Sequence, residues 1–267
     1  MYDTMGYIQD QCQSQLQKNK KKRTVIMSSQ HDKPEIDVQL AVKKTKIEPV
    51  EQVKVPRTIA WSLVETKINS RLATPDGGRI LFVSKFLSPA GIHAIRSLLD
   101  AIPDDRWSSG MSCFGHMVPR LIRWYGPAPY RFAGRNWDPH PYEAVLLDLQ
   151  TYLEQRMREL EPNETISFKS CLVNKYRSGT DSIAKHSDSE KEFGPHPSIC
   201  SVSLGTTRTF CMQNKKPKSP KLTFALSDGS LLLMTGRTQE LFVHWIDKEP
   251  HKHGVRYNLT FRPYVSQ

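Results

Sequence analysis

Two histidines and an aspartate carry the first chemistry that can be read from this chain. His186-Ser187-Asp188 sets an imidazole and a carboxylate two residues apart, and in an extended chain such residues project to the same side. A second imidazole, His244, follows Leu241-Phe242-Val243 far along the sequence, and it reaches the first pair if the strands that carry them lie side by side. Two imidazoles and one carboxylate on one face of an ion leave coordination positions open, the set that suits a non-haem Fe(II) ion. By itself H-x-D is weak evidence, because most such pairs are surface hydrogen bonds or satisfied buried histidines.

A second pattern predicts an anion site. In Val255-Arg256-Tyr257-Asn258-Leu259-Thr260-Phe261-Arg262 the alternation is strict. Val255, Tyr257, Leu259 and Phe261 therefore face one side of a strand, and Arg256, Asn258, Thr260 and Arg262 face the other. On a plain surface strand the polar row is solvated. On the inward face of a sandwich, two arginines flanking Asn258 and Thr260 leave buried positive charge uncompensated unless an anion sits among them. A dicarboxylate satisfies that demand, since guanidinium matches carboxylate with two parallel donors. Asn174 and Tyr176 share one face of another predicted strand and are suitable donors to the same anion.

Holding these groups together calls for paired strands. From Ile166 onward, short segments at 166–176, 199–204, 208–213, 222–226, 230–235 and 255–262 are bounded by Gly, Pro, Asn and Ser, and Ser227-Asp228-Gly229 reads as a hairpin turn. Upstream, Ile80 to Val83 is an apolar run, and Ser88-Pro89 reads as the N-cap and first residue of a helix to about Ala101. A second helix follows Pro141, with Val145, Leu149, Tyr152, Leu153 and Leu160 mostly on one face. Two helices and about six short strands predict a mainly β, α+β fold. Its expected form is a double-sheet jelly roll with helices buttressing one face.

Charge and composition narrow the class further. Of the 267 residues, 38 are Lys or Arg and 27 Asp or Glu, a net +11. Residues 1–60 hold 11 basic and 7 acidic side chains and no Phe or Trp, so little can be buried there and a disordered basic tail is expected. The expected domain is 61–267. It keeps a positive excess of its own, with 27 basic against 20 acidic residues, which suits a polyanionic partner or simply a basic surface. The run KNKKKR at 18–23 reads either as a nuclear-import signal or as a solvated charge run. No stretch approaches the roughly 18 apolar residues of a membrane helix, and MYDTMGYIQD lacks the layout of a signal peptide. Five cysteines without a C-x-x-C pair argue against a disulfide framework or a structural zinc site. A monomer without membrane partners is expected, in a reducing compartment.

Taken together, Asn174, Tyr176, Lys185-His186-Ser187-Asp188, His244, Arg256, Asn258, Thr260 and Arg262 resemble the AlkB family of Fe(II)/2-oxoglutarate dioxygenases. His186 lies twelve residues after Asn174, and Arg256 twelve after His244. Pro119-Arg120, Trp124-Tyr125-Gly126, GTTRTF at 205–210, Gly229 to Leu232 and NLTFR at 258–262 add to the likeness. It covers roughly 80–265 and looks closest to the eukaryotic nucleic-acid-repair homologues numbered two and three. The resemblance implies a double-stranded β-helix in which His186, Asp188 and His244 hold Fe(II). Asn174, Tyr176, Arg256, Asn258, Thr260 and Arg262 would hold 2-oxoglutarate. It also implies O2-dependent removal of N-methyl groups of the 1-methyladenine and 3-methylcytosine type from DNA or RNA, with release of formaldehyde, succinate and CO2; the location expected from the basic run at 18–23 is the nucleus, with the cytoplasm as the alternative.

Substrate contacts follow from the same resemblance. A methylated base has to leave its stack to reach such a metal. Met111 to His116 resembles the family's apolar finger loop, with Phe114 as wedge and Gly115 and His116 beside it; Phe114 as an ordinary core aromatic is the competing reading. Tyr130 and Phe132 read as a stacking lid or as a half-buried strand face. Where family members usually carry a second carboxylate after the metal aspartate, this chain has Ser189, which accepts a hydrogen bond but supplies no charge. Two alternatives remain at this level: a dioxygenase acting on a protein or small molecule, and a nucleic-acid-binding module without turnover.

Overall fold

The computed structural model describes residues 59–61, 67–109, 118–132 and 135–265, all within the compact unit Arg57–Gln267. The basic tail up to residue 58 and the loop with Phe114, Gly115 and His116 lie outside the described residues. Two antiparallel sheets carry the fold. The larger has seven strands in the order β1 (Ser70–Ala73), β2 (Gly78–Val83), β11 (Ser230–Gly236), β8 (Ile199–Gly205), β13 (Arg256–Arg262), β6 (Ser170–Tyr176) and β3 (Leu121–Tyr125). The smaller has four, β10 (Lys221–Leu226), β9 (Arg208–Asn214), β12 (Phe242–Ile246) and β7 (Ile183–His186). A separate ribbon pairs β4 (Tyr130–Phe132) with β5 (Arg135–Trp137).

The larger sheet is covered on both faces, which explains its unbroken apolar strands. In β11, Leu231 and Leu233 point to one core cluster while Leu232 and Met234 point to another. In β2, Leu81 and Val83 divide from Ile80 and Phe82 in the same way. The first cluster lies against α1 (Pro89–Asp100) and α2 (Ala144–Leu160), which contribute Ile95, Leu99, Val145, Leu149 and Leu153. The second fills the gap to the smaller sheet with Phe210, Met212, Phe224, Phe242 and Ile246. Helix α1 starts as its sequence predicts: the Ser88 hydroxyl accepts the Gly91 N–H at 3.0 Å and Pro89 opens the first turn. No helix among the described residues is long and apolar enough to cross a membrane.

The jelly roll with helical buttresses is present, and three expectations need correction. Strands are more numerous than about six: thirteen occur among the described residues, five of them before α2. The strand predicted over 166–176 starts only at Ser170, because Ile166 and Phe168 are buried in an extended approach and not in a ladder. Ser227-Asp228-Gly229 does not close a hairpin, since β10 and β11 lie in different sheets. The turn is instead a corner between layers. Gly229 takes φ +74°, donates its N–H to the Ser203 carbonyl, and accepts the N–H groups of Phe86 and Leu87.

Candidate functional site

The two histidines meet because their strands pair. In the ladder between β12 and β7, His244 stands opposite His186, and the rings lie 4.3 Å apart between centroids. Asp188 follows β7 by two residues, so one ligand atom from each of His186, Asp188 and His244 falls within 4.8 Å of the others. Local bonds aim the set. His186 Nδ1 lies 2.8 Å from the Ala184 carbonyl, which makes Nδ1 the protonated nitrogen and leaves the Nε2 lone pair for a metal. The Asp188 N–H donates to Gln239 Oε1 at 2.9 Å, the Ser187 hydroxyl donates to the Phe242 carbonyl at 2.7 Å, and Phe210 stacks on His244 at 5.3 Å. Gln239 and Phe210 are parts of the site that spacing did not reveal.

Electrostatics favour metal-ready protonation states. Burial, reinforced by His186, pushes the His244 imidazole down to about 3, and burial also lowers His186 against the opposing pull of Asp188. Both rings are therefore neutral near pH 7. Burial alone would raise the Asp188 carboxyl, yet Arg262 and the two imidazoles bring it down to about 2. Arg262 donates from Nε and Nη2 to Asp188 Oδ2, each at 3.1 Å.

The polar row of β13 faces the smaller sheet as its alternation predicts, while Tyr257, Leu259 and Phe261 enter the helix-side core. Its partner across the ladder is β6, with Asn258 opposite Asn174 and Arg256 opposite Tyr176. All six residues line one cavity together with His186, Asp188 and His244. The two arginines are not equivalent. Arg262 is neutralised by Asp188, whereas Arg256, 2% exposed, donates Nη2 to the Ser203 hydroxyl at 2.9 Å and keeps Nε and Nη1 buried without partners. Arg262 Nη1 is also unpartnered. Unmet buried donors of this kind cost about 1–3 kcal/mol each, and an anion across the cavity removes the cost. These orphaned donors beside an open metal set fit Fe(II) with a dicarboxylate. Asn258 and Thr260 play a different part from donors to the anion alone: Asn258 Nδ2 donates to the Ser201 hydroxyl at 2.8 Å and its Oδ1 accepts from Thr260. Arg120, seen in sequence only as part of a matching stretch, lines the cavity and donates Nε to Asn174 Oδ1 at 2.7 Å.

The substrate side departs from expectation at one residue. Ser189 is exposed, while its neighbour Glu190 turns inward and accepts a hydrogen bond from the Tyr130 hydroxyl. A second carboxylate is thus present after the metal aspartate, one position later than Ser189. Burial and the charge of Asp188 push it up to about 7. Tyr130 is held by stacking on Trp124 at 4.6 Å, and the guanidinium of Arg262 lies 5.9 Å from its ring centroid. It serves as cavity wall and strand face at once, so its two readings do not exclude each other. Phe132 belongs to β4, and its side chain lies outside what the structure describes.

A family model described as the 2OG-Fe(II) oxygenase superfamily matches residues 82–262. Among curated proteins, "Alpha-ketoglutarate-dependent dioxygenase alkB homolog 3" of Bos taurus is 39% identical over 156 residues, 55% of this chain and 52% of that protein. "DNA oxidative demethylase ALKBH2" of Homo sapiens is 36% identical over 160 residues, 55% of this chain and 57% of its own. The chain spans about half the length of the curated relatives it matches. A solved structure described as "The structure of OsALKBH1" superposes with a TM-score of 0.51 at 17% identity, covering 73% of this chain and all of that one, a likeness of fold.

Two outcomes follow from the geometry. Arg256→Met should weaken 2-oxoglutarate binding by about 30-fold or more, equivalent to about 2 kcal/mol, while His244→Ala should remove metal binding; calorimetry with Mn(II) checks both, and undiminished diacid binding in the first variant would rule out the anion assignment. Glu190, at about 7 against the ordinary 4.5, binds its proton more tightly folded than unfolded. Its contribution therefore favours folding below about pH 4.5 and is lost as pH rises through about 7. The lowered histidines work in the opposite sense below the usual imidazole range, so the difference between wild type and Glu190→Gln isolates the carboxyl. Metal-free wild type should lose stability relative to Glu190→Gln across that window, read from denaturant midpoints at several pH values; parallel curves would show that Glu190 does not titrate there.

Proposed function

The chain belongs to the 2OG-Fe(II) oxygenase superfamily, and on that premise we propose that it is an oxidative demethylase of N-methylated bases in DNA or RNA. The observation that carries this reading is the pairing of a His-Asp-His set with a cavity whose far end holds the uncompensated Arg256, next to the inward Glu190–Tyr130 pair. Its nearest support outside the chain is the DNA oxidative demethylase activity printed for a 36% identical relative.

In this reading His186, Asp188 and His244 hold Fe(II), and Arg256, Tyr176 and Arg262, steadied by Asn174, Asn258 and Thr260, hold 2-oxoglutarate. Bound there, the metal with 2-oxoglutarate and O2 supplies the oxidant that inserts one oxygen atom into a methyl C–H bond, the diacid ending as succinate and CO2. The hydroxymethyl product then breaks its C–N bond, leaving the unmethylated base and formaldehyde. Tyr130 offers an aromatic wall for the flipped base. Glu190 supplies the acid group that Ser189 lacks. Its elevated pKa marks a carboxyl whose ionisation a cationic base would favour, because an adjacent positive charge stabilises the carboxylate. Residues 1–60 are proposed as a nuclear-import and loose nucleic-acid-contact segment, on the strength of the run at 18–23. The catalytic unit is proposed to act as a monomer.

The test is incubation with Fe(II), 2-oxoglutarate, O2 and oligonucleotides carrying 1-methyladenine or 3-methylcytosine, single- and double-stranded, DNA and RNA. The expected result is loss of one methyl group by mass, abolished in His186→Ala and retained on deleting residues 1–56, which lie outside the compact unit, with a fluorescent fusion of the shortened chain leaving the nucleus. Succinate formation with no change in any oligonucleotide would favour a protein or small-molecule substrate instead.

A further inference from the structure

One buried guanidinium is used by neither the metal nor the anion cavity. Arg208, in the GTTRTF stretch at the start of β9, is 1% exposed. It donates Nε to Glu249 Oε2 at 2.8 Å, Nη1 to the Ser178 carbonyl at 3.1 Å, and Nη2 to the carbonyls of Asp181 at 2.9 Å and Asp247 at 2.6 Å. These acceptors lie in two loops, 177–182 and 247–255. The loops also bond each other directly: the Glu249 N–H donates to the Gly179 carbonyl at 2.7 Å, and the Gly179 N–H to that of Lys252 at 3.0 Å. The approach at Gly179 is so close that a Cβ there would sit 1.9 Å from the Glu249 carbonyl oxygen.

What the loops connect gives the contact its meaning. Loop 177–182 joins β6, with Asn174 and Tyr176, to β7, with His186. Loop 247–255 joins β12, with His244, to β13, with Arg256. Each therefore crosses between a metal-bearing strand of the smaller sheet and an anion-bearing strand of the larger one. Arg208 fastens both crossings at one point and reaches the anion end itself, with its guanidinium 5.8 Å from the Tyr176 ring centroid while that of Arg256 lies at 4.9 Å.

We propose that Arg208, with Glu249 as its counter-ion, is the positioning residue that fixes the separation between the metal set and the distal anion donors, and so selects a five-carbon 2-oxo diacid over shorter and longer homologues. A guanidinium spans several acceptors in a rigid fork, whereas an ammonium is a point charge on a flexible stem. Replacement by Lys keeps the charge and loses the span. Slack in the two crossings lets the anion end move relative to the metal, which penalises the diacid of matching length and spares the others. This inference needs only the family's co-substrate and is independent of which substrate is oxidised.

The experiment is calorimetric titration of the 267-residue chain loaded with Mn(II), which supports binding without turnover, using 2-oxoglutarate, its shorter homologue oxaloacetate and its longer homologue 2-oxoadipate. Arg208→Lys should weaken 2-oxoglutarate binding about 10-fold or more, the usual scale for losing a group that orients direct ligands. Its preference over the other two should narrow by a similar factor, with Mn(II) affinity unchanged. Glu249→Gln, which keeps the shape and removes the counter-charge, should shift the preference in the same direction to a smaller extent, and it carries the test by the same criterion if Arg208→Lys does not fold. An unchanged preference among the three diacids, whether their affinities stay put or fall together, overturns the proposal, as does a parallel loss of Mn(II) binding.

Discussion

The buried pair between Arg262 and Asp188 is the interaction on which the site depends. Both groups are 4% exposed at the side chain, and each would be costly to bury alone. Asp188 stands just past β7 of the smaller sheet, and Arg262 ends β13 of the larger one. The pair therefore joins the two layers at the place where a metal has to be held. It keeps the aspartate ionised although burial opposes ionisation, and it aims the second carboxylate oxygen toward the histidines, with Oδ1 3.7 Å from His186 Nε2. A carboxylate that was protonated or turned outward would be a poor ligand for a hard cation.

That pair can persist because the layers around it are rigid for ordinary reasons. The larger sheet is closed off from water by two clusters, one against the helices and one against the smaller sheet. The period of two in β13 divides the strand cleanly, with Tyr257, Leu259 and Phe261 in the helix-side cluster and the polar row turned into the cavity. A slip of one residue would exchange the faces, driving two guanidiniums into an apolar core. The same register that stabilises the fold thus orients the donors, and neither task can be altered without the other.

Much of this was legible from residue types, and the exceptions have physical causes. The inward row of β13 was readable because burial on one face and polarity on the other impose strict alternation. The strands that bring the histidines together were not assigned from sequence. β7 is four residues, Ile-Ala-Lys-His, and β12 is five, Phe-Val-His-Trp-Ile, and runs that short carry too little period to register. The corner at Gly229 looked like a hairpin because a turn requiring positive φ has the same composition whether the following strand pairs with the preceding one or changes sheet. Ser189 is the neighbour of the metal aspartate in sequence, whereas the direction of the side chains, which a linear sequence does not carry, makes Glu190 the inward one. Arg208 looked like one more basic residue of a matching stretch, for nothing in a linear sequence marks a guanidinium that caps carbonyls from two distant loops.

The net charge takes on a different meaning once these positions are known. Arg120, Arg256 and Arg262 are buried in the wall of the cavity and Arg208 is buried against Glu249, so part of the positive excess of the domain faces inward and not toward a phosphate backbone. Within the cavity the balance is instructive. A divalent metal and three guanidiniums, Arg120, Arg256 and Arg262, against the single carboxylate of Asp188 leave positive charge in large excess, and a dianion removes half of it. Metal and diacid should consequently favour each other's binding, since each lowers the electrostatic cost of the other in a medium of low dielectric.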